Sequence, residues 1–171
     1  QIPWVHQHAQ YRRVSVFTNI TPNHLDCHGT MPRYIQAKKK LLLGQGRQDT
    51  TVLNADCPFF ETWPDDATCR TRFFSTNTPV QGGTFLRNNT FVFSDSNGIE
   101  IPCGTVSQVR IPGAHNHSNI CAAQTAAADC AGKDPETIKR IFKGIASFQG
   151  LPHRLEKTGS VSGIPCYNDS V

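Results

Sequence analysis

Two short β-type segments on either side of a predicted helix limit the folds open to this chain. VSVFTNI (14–20) and TTVLNAD (50–56) are rich in β-branched and aromatic residues, and each ends in polar residues. Between them, Thr30 is a suitable helix N-cap, Pro32 falls in the first helical turn, and Gly44 is a stop signal. A strand, a helix and a strand at this spacing predict a βαβ unit in a parallel sheet.

The rest of the chain predicts further strands and then two helices. Residues 70–113 contain short strand-type runs, RFFST, GTFLRNNTFVFSDSNGIEIPCG and VSQVRIPG, with hairpin-type turns at RNN and SNG. Helices are predicted at 118–132, which is rich in alanine, and at 134–148, where Asp134 is the N-cap. The last run, GSVSGIPCYNDSV, predicts a strand, a turn and a strand. The predicted fold is therefore α/β, a mostly parallel sheet flanked by helices with a small antiparallel insertion.

Length and composition are those of a globular domain. The chain has 171 residues, of which 37% are hydrophobic and 18% charged. Its net charge is +4, but the positive residues are scattered and no aromatic residues alternate with them, so no nucleic-acid partner is predicted. No run approaches the roughly 20 apolar residues of a membrane span, so no membrane partner is predicted. The seven cysteines form no C-x-x-C pair, which predicts mostly free thiols in a reducing compartment such as the cytoplasm.

Three potential metal ligands follow the first predicted strand. His24, Asp26 and His28 lie within five residues at the carboxyl end of a parallel strand, where open α/β sheets usually bind ligands. Imidazole and carboxylate groups suit a divalent cation, and a zinc-dependent hydrolase is one interpretation. A polar loop in which Asp26 caps a turn is the other. Lys38 shares a helical face with Tyr34, so we expect it to face this edge near His24, unless it belongs to a solvated basic run.

Polar side chains also indicate a binding site in the second half of the chain. In GAHNHSN (113–119), Asn116 and Asn119 are three residues apart and share a helical face. Amide groups there suit an acceptor-rich ring or an anion, although plain helix capping is the alternative. In LPHRLE (151–156), Arg154 suits a phosphate or a ribose hydroxyl, or else forms a surface ion pair. These 171 residues contain no G-x-x-x-x-G-K-[ST] phosphate-binding motif.

Four segments resemble, in the same order, segments of the Mur ligases. They are TNITPNHLDCHGTMPRYIQAKKKL, VLNAD, IPGAHNHSNICAAQTAAA and SFQGLPHRLEKTGSVSGIPCYNDS, within residues 14–171. FQGLPHRLE followed by YNDS resembles the branch that joins D-glutamate to UDP-N-acetylmuramoyl-L-alanine in peptidoglycan synthesis. The resemblance implies most of an ATP-binding central domain at 1–157 and the start of a C-terminal ligase domain at 158–171. It places the family's phosphate loop upstream of Gln1, so we expect the 171 residues alone to have no ligase activity.

The resemblance also implies a reaction and its metal ligands. ATP phosphorylates the substrate carboxylate, the amine of D-glutamate attacks the acyl phosphate, and Mg²⁺ offsets charge. By position, His24 would ligate Mg²⁺, and Lys38 would be the lysine that the family carbamylates into a carboxylate-like ligand. The family pattern is D-H-[LM]-D-R, and this chain has Asn23 and Cys27 in place of its Asp and Arg. A non-catalytic, degenerate copy is therefore the second interpretation.

Four residues acquire nucleotide-binding roles from the resemblance. Asn116 and Asn119 would meet the adenine, Arg154 would reach the ribose or phosphates, and Asp169 would lie near the nucleotide. The implied cofactors are ATP and Mg²⁺, and the implied small-molecule partners are UDP-N-acetylmuramoyl-L-alanine and D-glutamate.

Overall fold

The main element of the structure, a computed structural model that describes residues 13–22 and 29–170, is a six-stranded sheet. Its strands, in spatial order, are β1 (Val14–Phe17), β2 (Thr50–Asn54), β3 (Arg70–Ser75), β4 (Gly83–Arg87), β5 (Thr90–Ser94) and β6 (Glu100–Thr105). Strands β1 to β4 pair in parallel, whereas β5 and β6 pair antiparallel. This confirms the predicted α/β class, and the predicted antiparallel insertion consists of two strands added to the parallel sheet.

The helices and a separate hairpin complete the fold. They are α1 (Met31–Leu43), the short α2 (Trp63–Asp66), α3 (Ala114–Ala131), α4 (Pro135–Ala146), and the two-stranded sheet of β7 (Glu156–Val161) and β8 (Ile164–Asn168). The predicted caps are confirmed, because Thr30 accepts a hydrogen bond from the Arg33 amide and Asp134 accepts one from the Thr137 amide. No helix in the described part of the chain is long and apolar enough to cross a membrane.

Two predicted helix boundaries and one predicted strand were wrong. Helix α3 begins at Ala114 rather than 118, so Asn116 lies inside the helix instead of before it. The strand predicted at 106–113 is a 3₁₀ turn at 106–108, because Gln108 accepts from the Thr105 amide and closes a capping box. Helix α4 ends at Ala146, so Phe148 lies beyond it.

Helices cover both faces of the sheet. Val52 and Leu53 are adjacent in β2 and both fully buried, but they belong to different apolar clusters because successive strand residues point to opposite faces. Leu53 packs in the cluster that contains residues of α1 and the α2 region, where Phe17 and Phe60 contact the Trp63 ring edge-on, with centroids 5.1 and 4.8 Å away. Val52 packs in the cluster that contains residues of α3 and α4.

Buried polar groups fix α3 against the sheet. The Thr84 amide of β4 donates to Thr125 Oγ1 at 2.9 Å, and the same hydroxyl donates to the Cys121 carbonyl at 2.8 Å. Farther along, Thr50 Oγ1 of β2 donates to Asp129 Oδ2 at 2.7 Å. Since buried polar groups are costly unless they are hydrogen-bonded, these contacts specify one position for α3. The start of this helix forms a wall of the site described next.

Candidate functional site

A cleft of about 830 Å³ lies between the start of α3, the end of α4 and the turn that precedes β7. All four residues predicted to bind a nucleotide line it: Asn116, Asn119, Arg154 and Asp169. Six larger apolar residues also line it: Ile111, Ile120, Ile145, Phe148, Leu151 and Leu155. Its size and its mixture of apolar surface with a few polar groups are typical of sites for small molecules.

The amide side chains of Asn116 and Asn119 lie on one face of the first turns of α3. Gly113 precedes the helix with a φ of 95°, a left-handed conformation that favours glycine. Asn116 Nδ2 donates to the Pro112 carbonyl, and Asn116 Oδ1 accepts from Asn119 Nδ2 at 3.2 Å. The structure gives Asn119 Oδ1 no partner among the described residues, and this side chain is exposed. The pair therefore presents an oriented acceptor at the cleft.

Arg154 and Asp169 reach the cleft from the two ends of the β7–β8 hairpin. Asp169 follows β8, and its Oδ1 accepts from the Leu155 amide at 3.2 Å. Arg154 forms no ion pair within the described ranges, because Glu156 instead accepts from the His153 amide at 2.8 Å. The surface ion pair considered for Arg154 is thus not formed. A guanidinium group and a carboxylate at one opening suit a phosphate and a hydroxyl group, respectively.

An exposed apolar wall of the cleft was missed by the sequence reasoning. The helical spacing of Ile138, Ile141, Phe142, Ile145 and Phe148 predicts one apolar stripe on α4. Phe148, however, is 46% exposed and lines the cleft, as does Leu151 at 55% exposure. The signal available in the sequence was two large apolar residues on either side of Gly150 in a polar loop. Flat apolar surface beside amide groups is suited to a planar heteroaromatic ring.

The predicted metal site is only partly described. His24, Asp26 and His28 lie outside the described residues, as do Asn23 and Cys27. Lys38 is exposed, and its Nζ lies 5.4 Å from the centroid of the Tyr34 ring.

The neighbouring Lys39 differs from Lys38, since it is half-buried and forms an ion pair with Asp66 of α2. Residues 13–22 and 29–170 contain no group of three or more His, Cys, Asp or Glu residues able to hold a metal. The contact expected between Lys38 and His24 stays a prediction.

Comparison with known proteins gives a family and a set of relatives. Residues 5–127 match the sequence profile of the Mur ligase middle domain. The chain is 34% identical over 167 residues to the UDP-N-acetylmuramoylalanine--D-glutamate ligase of Acetivibrio thermocellus, an alignment that covers 98% of this chain and 34% of the relative. The chain thus spans about a third of the length of the curated relatives it matches.

Two solved structures have a similar fold. MurF from Acinetobacter baumannii aligns with a TM-score of 0.64 at 18% identity, covering 91% of this chain and 33% of that one. MurF from Thermotoga maritima in complex with ADP aligns with a TM-score of 0.60 at 16% identity, covering 91% and 35%. Sequence profile and fold therefore agree with the order of motifs read along the sequence, and the chain belongs to the Mur ligase middle domain family.

Proposed function

We propose that the cleft binds the adenine nucleotide of an ATP-dependent ligase that joins D-glutamate to UDP-N-acetylmuramoyl-L-alanine. The observation that carries this proposal is the convergence of Asn116, Asn119, Arg154 and Asp169, from three separate segments, on one cleft. The name of the Acetivibrio relative supports the choice of substrates, and the ADP complex of the Thermotoga neighbour supports the choice of nucleotide.

The lining of the cleft fits an adenine nucleotide. Asn119 Oδ1 is a free acceptor among the described residues and suits the amino group of adenine, with the apolar wall of Phe148 and Leu151 beside the ring. Arg154 would hold ribose or phosphate oxygens, and Asp169 would accept from a ribose hydroxyl. When bound, ATP supplies the phosphoryl group that activates the substrate carboxylate.

Mg²⁺ is the second proposed cofactor, held by His24 and by a carbamylated Lys38. The Lys38 ammonium group first loses one proton; the neutral Nζ then bonds to the carbon of CO₂ and releases a second proton. Carbamylation thus converts a cation into an anionic oxygen ligand that suits Mg²⁺. The exposed position of Lys38, without an ion pair inside the described segments, supports this role. Asn23 and Cys27 replace two charged residues of the family pattern, so the alternative is a non-catalytic copy that binds a nucleotide weakly or not at all.

The cellular setting and the domain division are also part of the proposal. The substrates assign the chain to peptidoglycan synthesis, and hence to cell shape and division, in the cytoplasm. The hairpin β7–β8 forms its own sheet, which supports a separate C-terminal ligase domain; since β7 begins at Glu156, we place the start of that domain just before Glu156 rather than at 158.

Replacing Asn119 with alanine tests the proposed cleft. In the full natural protein that carries these residues, Asn119→Ala should raise the Kd for ADP about tenfold, because one oriented hydrogen bond to the base is lost. Isothermal titration calorimetry measures the affinity, and Asn97→Ala, at an exposed turn between β5 and β6, is the matched control. An Asn119→Ala protein that binds ADP as tightly as the native protein would count against the site.

A further inference from the structure

The turn that carries Arg154 has an uncommon backbone conformation. His153 has a φ of 61° and Leu155 a φ of 47°, so a residue in the left-handed region lies on each side of Arg154. Residues other than glycine seldom adopt this region because the Cβ atom crowds the backbone; Asn, Asp and His adopt it more often than most, and a bulky residue such as Leu155 rarely does. Other contacts must therefore hold the turn in place.

Hydrogen bonds join this turn to the end of β8. Asn168 Nδ2 lies 2.8 Å from His153 Nδ1, and the Leu155 amide donates to Asp169 Oδ1 at 3.2 Å. Because the NH₂ of an amide side chain can only donate, His153 Nδ1 is the acceptor and the ring proton lies on Nε2. The His153 Nδ1 atom also lies 3.5 Å from the Ser170 hydroxyl. Both sides of the hairpin base are thus tied together.

We propose that His153 and Asn168 form a clasp that positions Arg154 and Asp169 for the nucleotide. His153 directly precedes Arg154, and Asn168 directly precedes Asp169. The bond between the two side chains therefore holds the backbone at Arg154 close to the backbone at Asp169. Neither His153 nor Asn168 lines the cleft, so they are positioning residues. This inference rests on the proposed function of the cleft.

The clasp matters for the position of the turn because the surrounding residues bury little of it. Residues of β7 are exposed along the whole strand, and Arg154 and Asp169 are exposed as well. Without the clasp, the turn would sample other conformations, and binding would have to order it. Ordering a segment at the moment of binding lowers affinity, whereas a segment held in advance does not incur this loss.

Two single variants remove the clasp in different ways. His153→Gly keeps a backbone that adopts a positive φ but loses the acceptor, and Asn168→Ala loses the donor. In the full natural protein, each should raise the Kd for ADP about three- to tenfold. The Kd of the double variant for ADP should be no higher than that of the single variant with the higher Kd, because both changes remove the same hydrogen bond.

A conservative variant and a matched control separate the hydrogen bond from the backbone. His153→Asn keeps an acceptor near the position of Nδ1 and tolerates a positive φ, so its Kd should stay within about twofold of the native value. Ser162→Gly changes another left-handed residue, with a φ of 51°, at the far end of the same hairpin, and it should leave ADP affinity unchanged. The affinity for adenine, the free base without ribose or phosphate, should also be unchanged in every clasp variant, since Asn116 and Asn119 lie on α3.

The outcomes distinguish the clasp from the proposed function. A native protein that fails to bind ADP overturns both. Two outcomes overturn the clasp alone in a native protein that binds ADP. One is that the losses of ADP affinity in the two single variants add up in the double variant. The other is that His153→Asn binds ADP as weakly as His153→Gly. Equal losses for adenine and ADP would show that His153 and Asn168 only maintain the local fold, which also overturns it. Titration calorimetry for ADP and NMR line broadening for adenine supply the affinities.

Discussion

Replacing Gly83 with alanine is expected to lower the free energy of unfolding by about 3 kcal/mol or more. A Cβ at this first residue of β4 would lie 1.7 Å from the carbonyl oxygen of Phe73 and 3.4 Å from Thr125 Cγ2. The Phe73 atom belongs to the backbone of β3, which pairs with β4 at Phe74 and Thr84. Relief of the clash therefore requires the two strands to separate. Urea denaturation followed by circular dichroism measures the loss as a lower midpoint.

Gly144→Ala is the matched control for this change. Gly144 lies in α4, and a Cβ there would have no heavy atom within 4 Å. Alanine is the better helix former, so this variant should be as stable as the native chain or more stable by about 0.5–1 kcal/mol. If Gly83→Ala also unfolds at the native midpoint, the close approach of β3 and β4 is wrong.

Replacing Asp49 with asparagine is expected to cost about 2 kcal/mol at neutral pH. Asp49 is fully buried; Arg13 donates to it from its backbone at 2.9 Å and from its guanidinium group at 2.7 Å, and the Gly46 amide donates at 2.8 Å. This expected loss of stability is smaller than that for a fully buried ion pair, because the Arg13 side chain is 25% exposed and solvent partly screens its charge.

The same carboxylate makes stability depend on pH. Burial raises the pKa of Asp49, but the hydrogen bonds and charge of Arg13 and the Gly46 amide outweigh it and hold the pKa below the ordinary value of 3.8. The folded chain thus binds this proton more weakly than the unfolded chain does. Its stabilisation is present above pH 3.8 and is lost as the pH falls through the lower, folded pKa.

Denaturation midpoints between about pH 2 and pH 7 test this dependence. The acid loss of stability should be smaller in Asp49→Asn than in the native chain. Asp66→Asn, which removes an exposed partner of Lys39, is the control and should change stability by less than about 1 kcal/mol. Identical acid profiles for the native and Asp49→Asn chains would contradict the role of the buried carboxylate.

Local signals in the sequence predicted the starts of α1 and α4 well. The caps Thr30 and Asp134 act through hydrogen bonds to amides three residues away, so short-range pattern is sufficient to find them. The start of α3 was misplaced because Asn116 and its polar neighbours have a loop-like composition. Its position depends on the fixing of Thr125 and Asp129 to strands that are distant in sequence.

The candidate site was predictable in its polar residues but not in its shape. The family resemblance identified Asn116 and Arg154 as separate nucleotide-binding residues. Only the fold shows that both line one cleft. The apolar wall of Phe148 and Leu151 was not predicted because Phe148 falls within the predicted helix 134–148. Phe148 continues the spacing of the α4 stripe, yet the helix ends before it and leaves the ring at the cleft.

The most direct test of the proposed nucleotide cleft is to locate the bound adenine ring. Photolysis of the full natural protein with an azido-adenine analogue of ADP, followed by mass spectrometry, identifies the labelled peptide. Label on residues 111–123 or 145–155, displaced by unmodified ADP, is the predicted result. Label confined to peptides outside these ranges, or label that ADP does not displace, would contradict the nucleotide cleft.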